Sequence, residues 1–327
     1  GTAKSPISTV QIAILLGILM GNAFTPRPGM MVGLDFTQQY ILKLGIIFLG
    51  VRLSFADFIK FGSFAIPLVI FCILGVLILI KLLIKKVPIS SKMSYLIAIG
   101  TSVCGATAIV ATAPVINAKK TEVAYAIGNI TLFGVIAMLV YPYFAEWYFD
   151  NNALEAGLFL GTSIHETSQV AAAGLIYDQQ FNNPETLDVA TVTKLIRNTF
   201  LVILIPLFAF LYNRGEFKEQ KYSILSIFPY FVLGFIGMII VRNLGDQFFS
   251  IEGDNFYVWS QFIEYLKILA TVFLTMAMAA VGISINLSEL KSMGYKPFVV
   301  GLIAAVTVGI ISLISVSYTH LTLPTKA

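Results

Sequence analysis

The sequence predicts an all-α polytopic membrane protein, and two observations carry the prediction. Of the 327 residues, 57% are hydrophobic and only 12% are charged, about half the charged share of a typical soluble domain. The apolar residues also come in long runs, and a helix needs about 20 of them to cross a bilayer. This composition excludes a disordered chain, a coiled coil and a nucleic-acid-binding protein, although the formal net charge is +4.

Ten apolar segments follow one another along the chain. They cover residues 7–24, 40–58, 63–84, 93–117, 121–147, 153–177, 189–213, 224–244, 261–286 and 295–315. We treat residues 1–315 as a single transmembrane domain. The chain starts at Gly1 rather than at a methionine, and residues 316–327 read like one frame of a sequencing adapter. We therefore expect both ends to differ from the natural protein and leave 316–327 out of functional reasoning.

Basic and acidic residues occupy different connections between these segments. Lys and Arg surround the third and fourth segments and lie between the seventh and eighth, whereas Asp and Glu flank the sixth and follow the eighth. Basic loops stay in the cytoplasm, so the basic connections are predicted inside and the acidic ones outside. Segment 93–117 then has basic connections on both sides, and 153–177 has acidic ones, which full crossings cannot satisfy.

Two re-entrant hairpins resolve this conflict and leave eight crossings. One hairpin would enter from the cytoplasm and the other from outside. In each, eight or nine residues lead to a Gly-Thr-Ser tip, long enough to reach about the middle of the bilayer. The alternative is a pair of full spans that are each broken in the middle.

Two pairs of segments repeat within the chain. Gly100-Thr-Ser-Val-Cys104 aligns with Gly161-Thr-Ser-Ile-His165, and residues 50–62 align with 282–294. On the hairpin topology the copies face opposite sides, so the repeat is inverted. Inverted repeats whose discontinuous helices meet at the membrane midplane are typical of secondary transporters.

The two tips carry residue types that suit an anion. A helix interrupted in hydrocarbon survives only where it lines a cavity, and the N–H groups that begin each second arm favour negative charge. The alternative is that the hydroxyls only cap these arms. The candidate substrate-binding residues are Gly100, Thr101, Ser102, Cys104, Thr107, Gly161, Thr162, Ser163, His165, Ser168, Gln169 and Arg197.

Glu166, together with His165 and Lys194, is the candidate site for proton coupling. Ionisable residues at membrane depth are costly and are functional by default, and imidazole titrates near neutral pH. Lys194 and Arg197 share a helix face, so they could balance Glu166 or attract an anion. Mutual pairing and snorkelling to the headgroups are the alternatives. We expect neither a metal nor a cofactor, because Gln169 replaces the second histidine of a zinc-protease motif and no P-loop is present.

Seven stretches, in order along the chain, resemble the YeiH-type family of bacterial inner-membrane proteins, which is described as a family of sulfate exporters. Two of them are Gly100-Thr-Ser-Val-Cys-Gly-Ala-Thr-Ala108 and Gly161-Thr-Ser-Ile-His-Glu166. The others cover residues 13–22, 44–53, 111–115, 169–174 and 276–282. The resemblance implies one further N-terminal span and a location in the bacterial plasma membrane. It also implies a distant relation to the cation:proton antiporter and anion transporter superfamily, in which two discontinuous helices cross beside the substrate.

We therefore expect a secondary active transporter, and specifically an exporter, of a small anion such as sulfate, sulfite or a sulfonate, coupled to a proton or a sodium ion. A cation:proton exchanger is the first alternative. An intramembrane enzyme using His165 and Glu166 is the second, although no nucleophile–base pair has a recognisable spacing. Its partners would be the anion, the coupling ion and the lipid bilayer but no nucleic acid, and a homodimer stays open.

Overall fold

The computed structural model describes residues 7–24, 26–83, 90–212, 229–249, 254–286, 288 and 295–322. In these ranges the chain is helical apart from short connections, and it contains no β-strand. The helices are α1 Thr9–Ala23, α2 Pro28–Phe36, α3 Leu42–Leu49, α4 Phe55–Leu83, α5 Ser91–Ser102, α6 Ala106–Thr112, α7 Lys120–Phe149, α8 Ala153–Ser163, α9 Thr167–Phe181, α10 Pro184–Thr199, α11 Leu201–Tyr212, α12 Phe231–Phe248, α13 Asp254–Ser284 and α14 Tyr295–Thr322.

Six stretches of the described residues are long and apolar enough to cross a membrane. They lie in α4, α7, α10 with the start of α11, α12, α13 and α14. Each overlaps a segment predicted from hydropathy, and α1 is a shorter apolar helix. The prediction of an all-α polytopic membrane protein is therefore confirmed.

α1 and α13 approach each other unusually closely because glycines replace side chains at their contact. A Cβ added to Gly21 would lie 2.1 Å from the Ile283 carbonyl oxygen, and one added to Gly282 would lie 2.4 Å from the Ile14 carbonyl oxygen. Gly17 and Gly21 are four residues apart on α1, the spacing that lets membrane helices pack backbone to backbone. α13 also packs on α3, which in turn packs on α12.

α5 and α6 fold back on each other, and we call this pair the first hairpin. Its outer ends meet at the beginning of α7. The Lys92 Nζ donates to the Asn117 carbonyl oxygen (2.7 Å), and the Ser90 hydroxyl donates to a Glu122 carboxylate oxygen (2.5 Å). The chain therefore returns at Asn117, beyond the end of α6, to the level where α5 begins.

α8 and α9 form a second hairpin, whose outer ends meet at the end of α7. The Asn183 amide nitrogen donates to the backbone and side-chain oxygens of Asn151, both at 2.9 Å. Beside them the Tyr177 hydroxyl donates to a Glu146 carboxylate oxygen at 2.5 Å.

α7 orders the two hairpins along one axis. Its 30 residues span about 45 Å, with the first hairpin opening at its start and the second at its end. The closed ends of both hairpins reach the middle of α7. There, a Cβ added to Gly100 would lie 2.2 Å from the Ile130 Cδ1, and the Gln169 amide nitrogen donates to the Thr131 carbonyl oxygen (3.2 Å). The hairpins thus approach each other tip to tip.

The boundaries of several predicted segments differ in the structure. Segment 40–58 is divided, because α3 ends at Leu49, one short turn follows, and α4 already begins at Phe55. Two local hydrogen bonds fix the start of α4. The Ser54 hydroxyl donates to an Asp57 carboxylate oxygen (2.5 Å), and its oxygen accepts the Asp57 N–H (3.1 Å). Of the second copy of the longer repeat, residues 287 and 289–294 lie outside the described residues.

An ion cluster joins the turn before α4 to the end of α9 and the start of α10. The Arg52 Nε lies 2.8 Å from an Asp188 carboxylate oxygen, and a terminal nitrogen lies 3.5 Å from Asp178. The three side chains are 12%, 14% and 24% exposed, respectively. The same guanidinium donates to the Pro184 carbonyl oxygen (3.3 Å).

Candidate functional site

The first hairpin turns in three residues, and a glycine makes the turn. α5 ends at Ser102 and α6 begins at Ala106. Between them Gly105 has φ +66° and ψ −126°, a conformation that residues with a Cβ rarely adopt. Its N–H donates to the Gly100 carbonyl oxygen at 3.0 Å, which closes the tip.

The second hairpin turns through extended backbone instead. Ile164 and Glu166 both lie in the extended region between the end of α8 and the start of α9 at Thr167. The Gln169 side chain then accepts the Glu166 N–H at 3.3 Å. Gln169 is thus held at the tip by hydrogen bonds to its own hairpin and to α7.

α10 reaches both tips because α8 presents glycines to it. A Cβ on Gly157 would lie 2.9 Å from the Thr186 carbonyl oxygen, and one on Gly161 would lie 2.8 Å from the Ala190 carbonyl oxygen. The two glycines are four residues apart and share a helix face, as in close helix pairs of membrane proteins. This close contact places the last two turns of α10, which contain Lys194 and Arg197, beside the tips.

Lys194 joins the two tips through their backbone. Its side chain is fully buried, and its ammonium donates to the Val103 carbonyl oxygen (2.8 Å), to that of Ile164 (3.0 Å) and to that of His165. An ammonium has three donors and no acceptor. All three donors are therefore used, one on the first tip and two on the second.

Arg197 repeats this arrangement one turn further along α10. It is also fully buried. Its Nε donates to the Ser102 carbonyl oxygen (2.8 Å), and its two terminal nitrogens donate to the carbonyls of Thr101 and Thr162. The last carbonyls of α5 and α8 lack partners within their own helices. The Arg197 guanidinium supplies hydrogen bonds to those of Thr101, Ser102 and Thr162 instead.

Equivalent positions of the two Gly-Thr-Ser motifs meet the same cation. Thr101 and Thr162 are aligned and both bond Arg197, while Val103 and Ile164 are aligned and both bond Lys194. The sequence similarity between the tips therefore corresponds to a similarity in their backbone contacts.

Glu166 faces the start of α6 from the second tip. One carboxylate oxygen accepts the Ala106 N–H at 3.4 Å, and the side chain is only partly covered. Neither Lys194 nor Arg197 forms an ion pair with a carboxylate in the part of the chain that the structure describes. Two cations and one ionised carboxylate leave an excess of one positive charge. At each break, the negative partial charge at the C-terminal end of the first arm opposes the positive one at the N-terminal end of the second.

The tip hydroxyls are directed differently from what the sequence suggests. Ser102 donates to the Ala98 carbonyl (2.7 Å), Thr162 to that of Leu158 (2.7 Å) and Ser163 to that of Phe159 (2.6 Å). Such back-bonding by one helical turn is common for Ser and Thr. In this structure the three hydroxyls thus bond to carbonyls of their own helices.

The other candidates surround the same region. Cys104 and Ser168 are buried beside the tips, whereas Thr107 is exposed. His165 is 2% exposed, and its Nδ1 has no hydrogen-bond partner among the described residues. The structure thus brings His165, Glu166, Lys194 and Arg197 together, although their roles in binding and coupling stay predictions.

Asn198 belongs to this site and was not predicted. It is buried, its amide nitrogen donates to the Thr167 hydroxyl (2.9 Å), and its Oδ1 has no partner within the described ranges. A signal existed in the sequence, because Asn198 follows Lys194 by four residues and so lies on the same face of α10. Ser312, from α14, was also missed, and its hydroxyl lies 2.5 Å from that of Thr162.

Comparison with known proteins places the chain among bacterial membrane proteins. Residues 2–301 match a family model described as Conserved hypothetical protein 698. A UPF0324 membrane protein of Streptococcus agalactiae is 35% identical over 309 residues, which cover 93% of this chain and 88% of the relative. One from Fusobacterium nucleatum is 33% identical over 315 residues (94% and 89%), and one from Clostridium tetani is 28% identical over 314 residues (92% and 86%). No solved structure shows significant similarity to the chain. The chain belongs to this UPF0324 membrane protein family. With six stretches of its described residues able to span a bilayer, it is a multi-pass membrane protein.

Proposed function

We propose that this UPF0324 membrane protein is a secondary active transporter that exports a small anion, such as sulfate, sulfite or a sulfonate, coupled to a proton or another ion. One observation carries the proposal. Two interrupted helices meet tip to tip beside the middle of α7, and two fully buried cations on α10 hold them there. Burying a charged side chain in a membrane protein costs free energy. We therefore infer that the two buried cations serve the protein's function.

The outer ends of the hairpins support a re-entrant topology. In each hairpin the two outer ends lie at the same level. The outer ends of the first hairpin lie at the start of α7, and those of the second lie at its end. If α7 crosses the bilayer, one hairpin enters from each side and neither crosses. This arrangement is the inverted one that many transporters use to expose a central site alternately to each side.

The charge balance supports an anionic substrate over a cationic one. The described site holds two cations against the single Glu166 carboxylate, so an anion would restore neutrality. A transported cation, as in a cation:proton exchanger, would instead add to this positive excess.

Flux into proteoliposomes tests this function. Purified protein should take up radiolabelled sulfate or sulfite, and a pH gradient should change the rate. Glu166→Gln should abolish the dependence on the gradient, since the carboxyl can no longer exchange a proton. Glu264→Gln is the matched control, because this glutamate is 60% exposed on α13. Cation flux without any anion movement would exclude the proposal, and turnover of a lipid or peptide would favour an enzyme.

A further inference from the structure

The carbonyl oxygens around Lys194 have the arrangement of a cation site. Val103, Ile164 and His165 point their backbone oxygens at one atom, the Lys194 Nζ. Two of these oxygens belong to the second tip and one to the first. Unwound backbone in discontinuous helices of transporters coordinates Na⁺ or H⁺ with the same kind of oxygen.

The cation that these oxygens surround is the Lys194 ammonium, which is part of the chain itself. Three carbonyl acceptors match the three donors of an ammonium, whereas a neutral amine has only two N–H groups to offer. The side chain is fully buried, and no carboxylate pairs with it in the described ranges. The ammonium is therefore solvated by backbone oxygens, as a bound monovalent cation would be.

We propose that the two tips form a site for a monovalent cation and that the Lys194 ammonium fills it permanently, so that the protein needs no sodium ion to hold its tips together. The inference rests on the proposed function only for its flux readout. It leaves the proton as the coupling ion. It also makes Lys194 a positioning residue rather than a ligand of the substrate, because its donors are already used.

Chemical rescue of Lys194→Ala tests the site. This substitution deletes the atoms of n-propylammonium, so that ion should enter the vacated space and restore the three hydrogen bonds. Loss of charge-assisted hydrogen bonds should slow anion flux by roughly tenfold or more in choline buffer. Adding n-propylammonium or Na⁺ should restore flux at least in part. Tetramethylammonium, which carries the same charge without N–H donors, should not.

Thermal unfolding separates this inference from the proposed function. The melting temperature of purified Lys194→Ala should rise with n-propylammonium or Na⁺, while that of the unsubstituted protein should not change. This readout needs no transported anion, so it remains decisive even if no sulfate or sulfite moves. Lys60→Ala is the matched control, because Lys60 is 55% exposed and 3.9 Å from its partner Glu185.

Every outcome then decides for or against the cation site. If Lys194→Ala can be purified only when n-propylammonium is present, the site is supported. If neither Lys194→Ala nor Lys194→Ser responds to n-propylammonium or to Na⁺ in stability or recovery, the proposal is overturned. It is also overturned if the unsubstituted protein requires Na⁺ for flux.

Discussion

Glu166 lies directly against Gly105 where the two tips meet. A Cβ added to Gly105 would lie 2.5 Å from the Glu166 Cγ and 3.2 Å from its Oε1. The absence of a side chain at Gly105 thus makes room for the Glu166 side chain.

Replacing this glycine should displace the glutamate. We expect Gly105→Ala to slow anion flux by roughly tenfold or more and to cost about 1–3 kcal/mol of stability, since the positive φ disfavours any Cβ. Flux in proteoliposomes and thermal unfolding measure the two effects. Gly237→Ala is the control, because a Cβ there meets nothing within 4 Å. Equal effects of both substitutions would contradict the Gly105–Glu166 contact.

The hairpin topology predicts the sidedness of two exposed positions. Single cysteines at Lys120 and Asp150, one at each end of α7, should be labelled from the cytoplasm and from outside, respectively. The native Cys72 and Cys104 are buried and should react little with an impermeant maleimide. Two full, broken spans in place of the hairpins would reverse both results.

The ion cluster of Arg52 should stabilise the fold more than an ordinary surface pair. We expect Arg52→Ala to lower the free energy of unfolding by about 1–3 kcal/mol, because two partly buried carboxylates lose a charged hydrogen-bond partner. Lys60→Ala removes an exposed pair and should cost less than about 0.5 kcal/mol. Thermal unfolding in detergent measures both. Similar losses would mean that the Arg52 contacts contribute nothing beyond a surface pair.

The glycine contact between α1 and α13 should tolerate no methyl group. Gly21→Ala would place a Cβ 2.1 Å from the Ile283 carbonyl oxygen, and such overpacking costs about 1–3 kcal/mol. Gly33→Ala is the matched control within α2, because a Cβ there has open space and alanine favours helix by about 0.5–1 kcal/mol. A lower melting temperature for the first and an unchanged or higher one for the second is the expected result.

Hydropathy predicted most of the helices but not every boundary. α7 contains the whole of the predicted segment 121–147, and α13 contains all of 261–286 except its last two residues. The turn between α3 and α4 was missed because two of its residues, Val51 and Leu53, are apolar and buried and continue the apolar run. A hydropathy pattern cannot distinguish a buried turn from a continuing helix when both consist of the same residues.

The sequence identified most residues of the candidate site but not the contacts between them. The Gly-Thr-Ser motifs located both interruptions, and the spacing of Lys194 and Arg197 placed them on one face. Their partners could not be read from the sequence, because main-chain carbonyls have no residue signature. The directions of the Ser102 and Thr162 hydroxyls depend on local helix geometry, which the sequence leaves open.

The attachment of the tips to α10 has a consequence for how the protein can diversify. Lys194 and Arg197 hold the tips by main-chain oxygens, which every amino acid provides. The Cys104 and His165 side chains take no part in these hydrogen bonds. Under the proposed function, exchange of these two side chains should alter substrate preference while the hydrogen bonds to α10 remain.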